Sequence, residues 1–442
     1  MNLLKTIKYM LPLLLLLPAL LLNAQEQFDL KRCISTGLEN NYSLKLARNQ
    51  EQIADNNYTR GNAGMLPTVD ASGRMGGNLN SINYNYSDET TVNASGIHNT
   101  SASASIDLGI PIFRGFQIQH TYRKLGEQKE LGGLKTQMSI ENLVSQIIAE
   151  YNFYTEQIIL FNNMAYAVSL SRERVRIDEQ RYLLGGASKM QLLQSKVYLN
   201  ADSSRYARQN EVLRSSQIRL NKLMANENLG LHIVLPDTLI EINKALQFDE
   251  LLDKTLQNNT SLLIASSNRN ISEIDYKIIQ SRNYPYLNFG TGYSASINNY
   301  NAGDLSSQQS HGINYGLTLG IDLFDGFNRK REQANALIAI DNNQLAYEEI
   351  EQAVKAELLT IFYAYENNLR LLLLEEENLA VARENLEIAL EQYKLGGLAG
   401  LELREVQKSL LDAEERLISV KYLTKVAEIS LMQISGQIME YL

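Results

Sequence analysis

Cysteine is nearly absent. Cys33 is the only one in 442 residues, which excludes an intrachain disulfide framework. It follows Lys31-Arg32 rather than small residues closing an apolar run, so it is a poor lipid-attachment site and is expected to pack on a helix. Proline is as sparse. Beyond residue 24 only Pro67, Pro111, Pro236 and Pro285 occur, which leaves 112–235 and 286–442 free of proline, as long uninterrupted helices require. The four histidines are scattered at 98, 120, 232 and 311, and there is no His-Glu-x-x-His, no Gly-x-Ser-x-Gly and no Gly-x-x-x-x-Gly-Lys-Ser/Thr. Zinc-hydrolase, serine-hydrolase and phosphate-loop chemistry therefore lack their carriers. Gly-x-Gly fragments such as Gly290-Thr291-Gly292 fall in predicted strands. An enzyme is not expected, and no catalytic, cofactor-binding or metal-binding residue is assigned. An excess of positive charge is missing too. Forty-one Lys and Arg against 50 Asp and Glu give a net charge of -9, which argues against a nucleic-acid partner.

Long apolar runs are confined to one. Lys5 and Lys8 precede Tyr9–Leu22, and Asn23-Ala24-Gln25 follows. A basic start, a short apolar run and a small residue at its end describe a signal peptide over 1–24, cleaved after Ala24. Pro12 and Pro18 inside the run, and its shortness, disfavour the alternative of a retained anchor. No other stretch approaches ~18 consecutive apolar residues, so no second helical span is expected. The composition of the whole chain, 44% apolar and 21% charged, is that of an ordinary folded protein.

What is present is a duplication. Tyr182-Leu183-Leu184-Gly185-Gly186 recurs as Tyr393-Lys394-Leu395-Gly396-Gly397, an offset of 211. Phe113-Arg114-Gly115-Phe116 recurs at the same offset as Phe324-Asp325-Gly326-Phe327. Asn40-Asn41-Tyr42-Ser43-Leu44, read as a turn and helix cap, recurs as Asn258-Asn259-Thr260-Ser261-Leu262, and Ser43/Ser261 and Pro67/Pro285 share an offset of 218. The change from 218 to 211 places a variable surface loop between the proline and the Phe-x-Gly-Phe motif. The first repeat is read as 25–230, a linker with a small side element as 231–247, and the second repeat as 248–442. Each opens with a helix, the first of them running from Phe28 to about Gly64.

Between those landmarks the periodicity is two. Val69, Ala71, Met75 and Leu79 alternate with Thr68, Asp70, Ser72 and Arg74, and Ala102 to Ile112 alternate with Ser101, Ser103, Ser105 and Asp107. Leu287, Phe289, Tyr293, Ala295 and Ile297 repeat the pattern, as do Ile313, Tyr315, Leu317, Leu319, Ile321 and Leu323. The alternation predicts strand pairs 66–80 with 101–113 and 285–298 with 312–324, joined by polar loops at 80–100 and 298–312. Strands of about ten residues with one apolar face suit a tilted crossing of a bilayer. Phe113, Phe116, Tyr284, Tyr286, Phe324 and Phe327 lie at or near their ends, where an interfacial girdle sits. The alternative is one face of a soluble sandwich. Four strands cannot close a membrane barrel, and lipid does not tolerate open edges. Three chains would supply twelve strands.

The rest reads as helix. Ile140, Val144, Ile147, Tyr151, Tyr154, Ile158, Phe161, Ala165 and Val168 recur at steps of four and three. A second seam runs from Val354 to Tyr393, interrupted by Asn368 and Glu375, and a third from Leu403 to Ile434. This is coiled-coil spacing. From Phe116 to Leu184 a helix would reach on the order of 100 Å at 1.5 Å per residue, far beyond a bilayer core. The two Gly-Gly breaks then make tight αα-hairpins at the far ends of long helices.

The order of helix, strand pair and long helical hairpin, twice over, resembles the TolC-like outer membrane efflux protein family across essentially the whole mature chain. Locally, the resemblance rests on the Asn-rich turn, the prolines opening each strand pair, Phe-x-Gly-Phe and Tyr-x-Leu-Gly-Gly. It implies a homotrimer with a shared twelve-stranded barrel in outer membrane lipid and an α-helical tunnel in the periplasm. It implies an exit duct of a tripartite efflux system, with a periplasmic adaptor (membrane fusion) protein and an inner-membrane transporter as partners and no cofactor. The rival duty within the family is type I protein secretion. A trimeric coiled-coil surface protein is a more distant alternative. The resemblance places the partner-docking tip at Gly185, Gly186, Ala187, Ser188, Lys189, Gly396, Gly397, Leu398, Ala399 and Gly400. Many members carry an Asp six positions beyond the tip glycine. Here those positions are Leu192 and Leu403. A gate of Glu402, Arg404 and Glu405 beside Leu403 is the expectation in its place, weighed against exposed charges that only favour a helix start.

Overall fold

A computed structural model describes residues 28–302 and 305–441. The signal-peptide reading of 1–24 lies outside the described residues. The chain divides into two units. One comprises 28–49, 135–263 and 350–441, and the other Gln50–Leu134 and Ile264–Glu349. In order come α1 (Leu30–Asn40), α2 (Tyr42–Asn57), β1 (Thr68–Asn85), β2 (Thr91–Arg114), α3 (Gln117–Leu183) and α4 (Lys189–Leu223). They are followed by α5 (Phe248–Asn258), α6 (Thr260–Ser281), β3 (Tyr286–Asn299), β4 (Ser307–Gly320), α7 (Asn328–Leu395) and α8 (Gly400–Ile434), and Ile438–Tyr441 closes in a 3-10 turn.

The strands form one antiparallel sheet in the order β1-β2-β3-β4. Its register sorts the two faces. Val69 pairs with Leu108 and Ala71 with Ile106; Ile106 pairs with Tyr293, and Tyr293 with Ile313. On the other face Ser72 pairs with Ser105, Ser105 with Ser294, and Ser294 with Gly312. One face is therefore mainly apolar, interrupted by Thr291, Gln309 and His311, and the other mainly polar. The apolar face is bare: Met75 is 86% exposed, Ile313 75% and Tyr315 81%. Among the described residues no helix is long and apolar enough to cross a membrane.

The strands outrun the sequence reading at the loop end. Residues 80–100 were expected to be a loop, yet β1 continues to Asn85 and β2 begins at Thr91. Two features explain the miss. The register shifts between Asn80 and Ile82, opposite Gly96 at φ +73. The extra residue lies on β2, where it disrupts the ladder; on β1, independently, Ile82 and Tyr84 share the parity of polar Asn78. The period-two signal stops while the backbone pairing goes on. The second loop is likewise shorter than 298–312, confined to 300–306. At the other end β4 stops at Gly320, short of the expected 324. There Arg329 donates to the Asp322 carbonyl at 2.6 Å, and the Asp325 carboxylate accepts from the Arg329 amide at 2.9 Å, so the chain turns into α7 early.

Each Phe-x-Gly-Phe motif turns the chain from strand to helix through two left-handed residues. Gly115 and Phe116 have φ of 58° and 67°, and Gly326 and Phe327 have 68° and 63°. A Cβ on Gly115 would lie 2.2 Å from the Ser281 carbonyl oxygen, so only glycine fits. A phenylalanine in this region is strained. The strain points Phe116 edge-on at Phe113, and Phe327 edge-on at Phe324, with centroids 5.3 Å apart in both pairs.

Within the expected first helix, Phe28 to about Gly64, the turn and cap read at Asn40–Leu44 falls at Asn41, and the helix stops earlier, at Asn57. The Asn41 Oδ1 accepts from the amides of Ser43 and Leu44 at 2.9 and 3.2 Å, capping α2. Its Nδ2 reaches across to the carbonyl of Leu223, the last residue of α4, at 2.9 Å. Asn259 repeats this: Oδ1 accepts from Ser261 and Leu262 at 3.0 and 3.2 Å, and Nδ2 donates to Ile434, the last residue of α8, at 2.9 Å. One side chain thus starts one helix and ends another, which satisfies orphan groups at both. Asn259 is buried. Asn259→Ala is expected to lower unfolding stability by about 2–3 kcal/mol, the cap plus an unpaired carbonyl, measured by chemical denaturation of the detergent-solubilised protein. Asn259→Asp, which keeps the cap and loses the Nδ2 donor, should fall between.

The core beneath these caps gathers Cys33, Ile34, Leu44, Val144, Ile147, Tyr151, Tyr154, Leu220 and Ile429. Burial first, and Asp29 second, push the Cys33 thiol up to about 12. Residues 231–247 form no helix but cross this core in extended form. The Val234 carbonyl accepts from the Phe28 amide at 3.0 Å, and the Ile233 carbonyl from the Tyr154 hydroxyl at 2.9 Å.

One acid works against its surroundings. Glu156 is buried, with Gln157 as its hydrogen-bond partner at 3.2 Å. Burial first, and the charge of Glu415, push its carboxyl up to about 7 from 4.5. The folded state thus holds this proton more tightly than the unfolded chain, so stability falls as pH rises from 4.5 towards 7. Glu156→Gln is expected to raise the thermal midpoint by a few degrees at pH 7.5 and to leave it unchanged near pH 4, as read by paired melts.

Candidate functional site

Both Gly-Gly breaks end their helices in the same way. Gly185 and Gly396 take φ of 78° and 85°. The Gly186 amide donates to the Arg181 carbonyl at 2.7 Å and that of Gly185 to Tyr182 at 3.1 Å; Gly397 donates to Gln392 at 2.9 Å and Gly396 to Tyr393 at 3.1 Å. These bonds close a helix through one left-handed residue. The following helices start differently. Ser188 and Gln191 form a reciprocal cap, with bonds of 3.2 and 3.0 Å. Ala399 has no side-chain oxygen, and only Glu402 reaches back to its amide, at 3.3 Å. The tip is apolar and bare around the glycines: Leu184 is 87% exposed and Leu395 86%.

Behind the tip lies a cleft of about 780 Å³ between the two hairpins. Of the ten residues placed at the tip from sequence, Gly186, Ala187, Gly396, Gly397, Leu398, Ala399 and Gly400 line it. Gly185, Ser188 and Lys189 lie beside it. The cleft is also lined by Tyr393 from α7, which the sequence reading placed in the repeated motif and at the end of a seam, and by residues that reading passed over: Arg174, Asp178 and Arg181 from α3 and Tyr198 from α4.

These polar residues tie the hairpins together. The Tyr393 hydroxyl donates to the Asp178 carboxylate, and Arg181 Nη2 donates to the Tyr393 carbonyl. The Arg181 guanidinium also stands over the Tyr393 ring at 4.8 Å. Asp178 and Arg181 belong to the first hairpin and Tyr393 to the second. Burial and the neighbouring Asp178 carboxylate raise the Tyr393 phenol far above its ordinary value, so it stays a donor. One level deeper, Arg404 grips Asp202 with both terminal nitrogens, at 2.7 and 2.8 Å, and the Ser171 hydroxyl donates to the same carboxylate at 2.5 Å. Arg404 and Arg174 stand 5.2 and 5.0 Å from the centre of the Tyr198 ring.

The three charges considered for a gate part company here. Arg404 is buried and committed to Asp202. Glu402 is exposed and caps α8, and Glu405 is exposed. Leu192 and Leu403 are both buried in hairpin packing. The missed residues had a signal. Ser171, Arg174, Asp178 and Arg181 recur at steps of three, four and three, and so do Ser195, Tyr198 and Asp202 at three and four. That is a polar continuation of the seam, legible only by following hydrophilic residues at the coiled-coil period.

Known proteins share this architecture. A curated relative, Outer membrane protein TolC of Vibrio cholerae, is 23% identical over 201 residues, which cover 43% of this chain and 44% of that protein. The solved outer membrane protein VceC of Vibrio cholerae superposes with a TM-score of 0.74 at 15% identity, covering 92% of this chain and 96% of that one. The CmeC outer membrane channel of Campylobacter jejuni gives 0.76 at 15% identity, covering 92% and 85%. At these identities the likeness speaks to fold. The family model for Outer membrane efflux protein matches residues 33–226 and 251–437, one segment for each half of the duplication. With both repeats matched, the chain belongs to the outer membrane efflux protein family.

Proposed function

We propose that this chain is the outer membrane exit duct of a tripartite efflux system. Three copies share a twelve-stranded barrel in outer membrane lipid, with the helical body in the periplasm. The tip residues around Gly186 and Gly397 meet a periplasmic adaptor protein and an inner-membrane transporter. Passage through the duct is passive, and the inner-membrane partner supplies the energy.

One observation carries this reading. The sheet ends at β1 and β4 with both edges open among the described residues, and much of its apolar face is exposed. A bare apolar face of this extent calls for lipid or a partner, and open edges in lipid call for more strands. Twelve strands, four from each of three chains, lie within the range that membrane barrels use. Family membership and the fold shared with outer membrane channels support the same assignment. Of the three gate candidates Glu402 and Glu405 are exposed and Arg404 is buried, so the gate proposal rests on the two glutamates.

The test is native mass spectrometry of the mature protein extracted from outer membranes in mild detergent, followed by planar-bilayer recording. A trimer with stable conductance is expected. A monomer, or recovery only from the soluble periplasm, would leave four strands unable to close and would overturn the proposal.

A further inference from the structure

The cleft behind the tip holds more hydrogen-bond donors than the protein can use. Arg174 is 2% exposed and lines the cleft, and only its Nη1 has a partner, the Gln407 Oε1 at 3.0 Å. Its Nε and Nη2, and the Nε2 of Gln407, which is itself 2% exposed, have no hydrogen-bond partner among the described residues. Three buried donors are thus gathered at one place, on side chains from two hairpins. A buried donor without an acceptor is costly, more so on a charged group. The carboxylates nearby are already engaged: Asp202 by Arg404 and Ser171, and Asp178 by Tyr393. The charges of Arg174, Arg181 and Arg404 exceed those of Asp178 and Asp202 by one. Burial and the neighbouring Arg404 work against the Arg174 charge.

We propose that Arg174, which lines the tip cleft, and Gln407, bonded to it just outside that lining, form a receptor for one carboxylate group. A guanidinium offering Nε and Nη2 side by side matches the two oxygens of a carboxylate. The Gln407 amide is a third donor bonded to the same guanidinium, and the Tyr198 ring covers the guanidinium's face. Because Arg174 stands on the first hairpin and Gln407 on the second, an occupied receptor braces the hairpins against separation. A free small carboxylate and an acidic side chain carried by a partner's helix offer the same group.

The experiment is isothermal titration of the intact, detergent-solubilised protein at pH 7. The probes are sodium acetate, sodium succinate, and a 20-residue helical peptide with one central glutamate beside its glutamine counterpart. Saturable binding of acetate or succinate that weakens about tenfold or more in Arg174→Gln supports a free-anion source. Binding of the glutamate peptide alone, lost in the glutamine peptide and in Arg174→Gln, supports a partner's side chain. Gln407→Glu covers the case in which Arg174→Gln does not fold. It supplies an internal carboxylate, and it is expected to melt higher than the native protein and to bind no probe. No binding of any probe by the native protein, equal binding by Arg174→Gln, or binding that persists in Gln407→Glu overturns the receptor. The receptor acts in the duct only if the tip is its working end, as proposed above. The titration itself needs neither a trimer nor conductance, so the two readings fail separately.

Discussion

Tyr393→Phe is expected to raise the open probability of single channels in planar bilayers by about tenfold. The hydroxyl removed is the one that joins the hairpins through Asp178. Its loss leaves a buried carboxylate without that donor, a cost of about 1–3 kcal/mol that, on the proposal that parting the hairpins opens the duct, falls on the joined arrangement alone. Each 1.4 kcal/mol shifts a two-state ratio tenfold. Arg181→Ser should act in the same direction, since it removes both the bond to the Tyr393 carbonyl and the guanidinium over the ring. Tyr182→Phe is the internal control. Tyr182 is the copy of Tyr393 in the first repeat, but it is partly exposed and makes no such tie. Its traces should match those of the native protein. If Tyr393→Phe and Tyr182→Phe behave alike, the hairpin tie does not govern opening.

The contrast between Tyr182 and Tyr393 also marks how far the sequence was readable. The duplication exposed the architecture, because hydrophobic period and turn chemistry repeat with the chain: both Asn caps, both Phe-x-Gly-Phe corners and both Gly-Gly closures have the same backbone geometry in the two halves. Side-chain ties do not repeat. Ser188 completes its cap where Ala399 has no oxygen to offer, and Tyr393 is buried against Asp178 while its copy is not. Such ties depend on which residue of another helix stands opposite, which spacing along one chain does not encode. The strand ends were missed for a related reason. The Gly96 bulge shifts register without any change in composition, and the apolar residues of β1 change parity, so the alternation stopped before the sheet did. Arg404 illustrates the same limit. Its place in a helix start beside two glutamates read as exposed charge, and its burial depended on Asp202, 202 residues away along the chain.

Asp202→Asn is expected to be the most damaging single change at the tip, costing roughly 3–5 kcal/mol of unfolding stability. Asp202 is 2% exposed and accepts both terminal nitrogens of Arg404. Neutralising it leaves Arg404 and Arg174 on one tyrosine ring with no free carboxylate to balance them. Removing one partner of a buried ion pair is far worse than removing both, because the cost lies in the stranded charge. The double variant Asp202→Leu with Arg404→Met should therefore recover most of the loss, although neither change restores a polar contact. Chemical denaturation of the detergent-solubilised protein measures both, and limited proteolysis near residues 183–190 and 395–401 should show the hairpin ends loosening in the single variant only. The same pair separates two roles for Arg404. An arginine facing an aqueous mouth would change ion selectivity when replaced by glutamine and leave stability alone. An arginine held by Asp202 would do the reverse. A loss below about 1 kcal/mol for Asp202→Asn, in the range of exposed pairs, would return Arg404 to the mouth and restore it to the gate with Glu402 and Glu405.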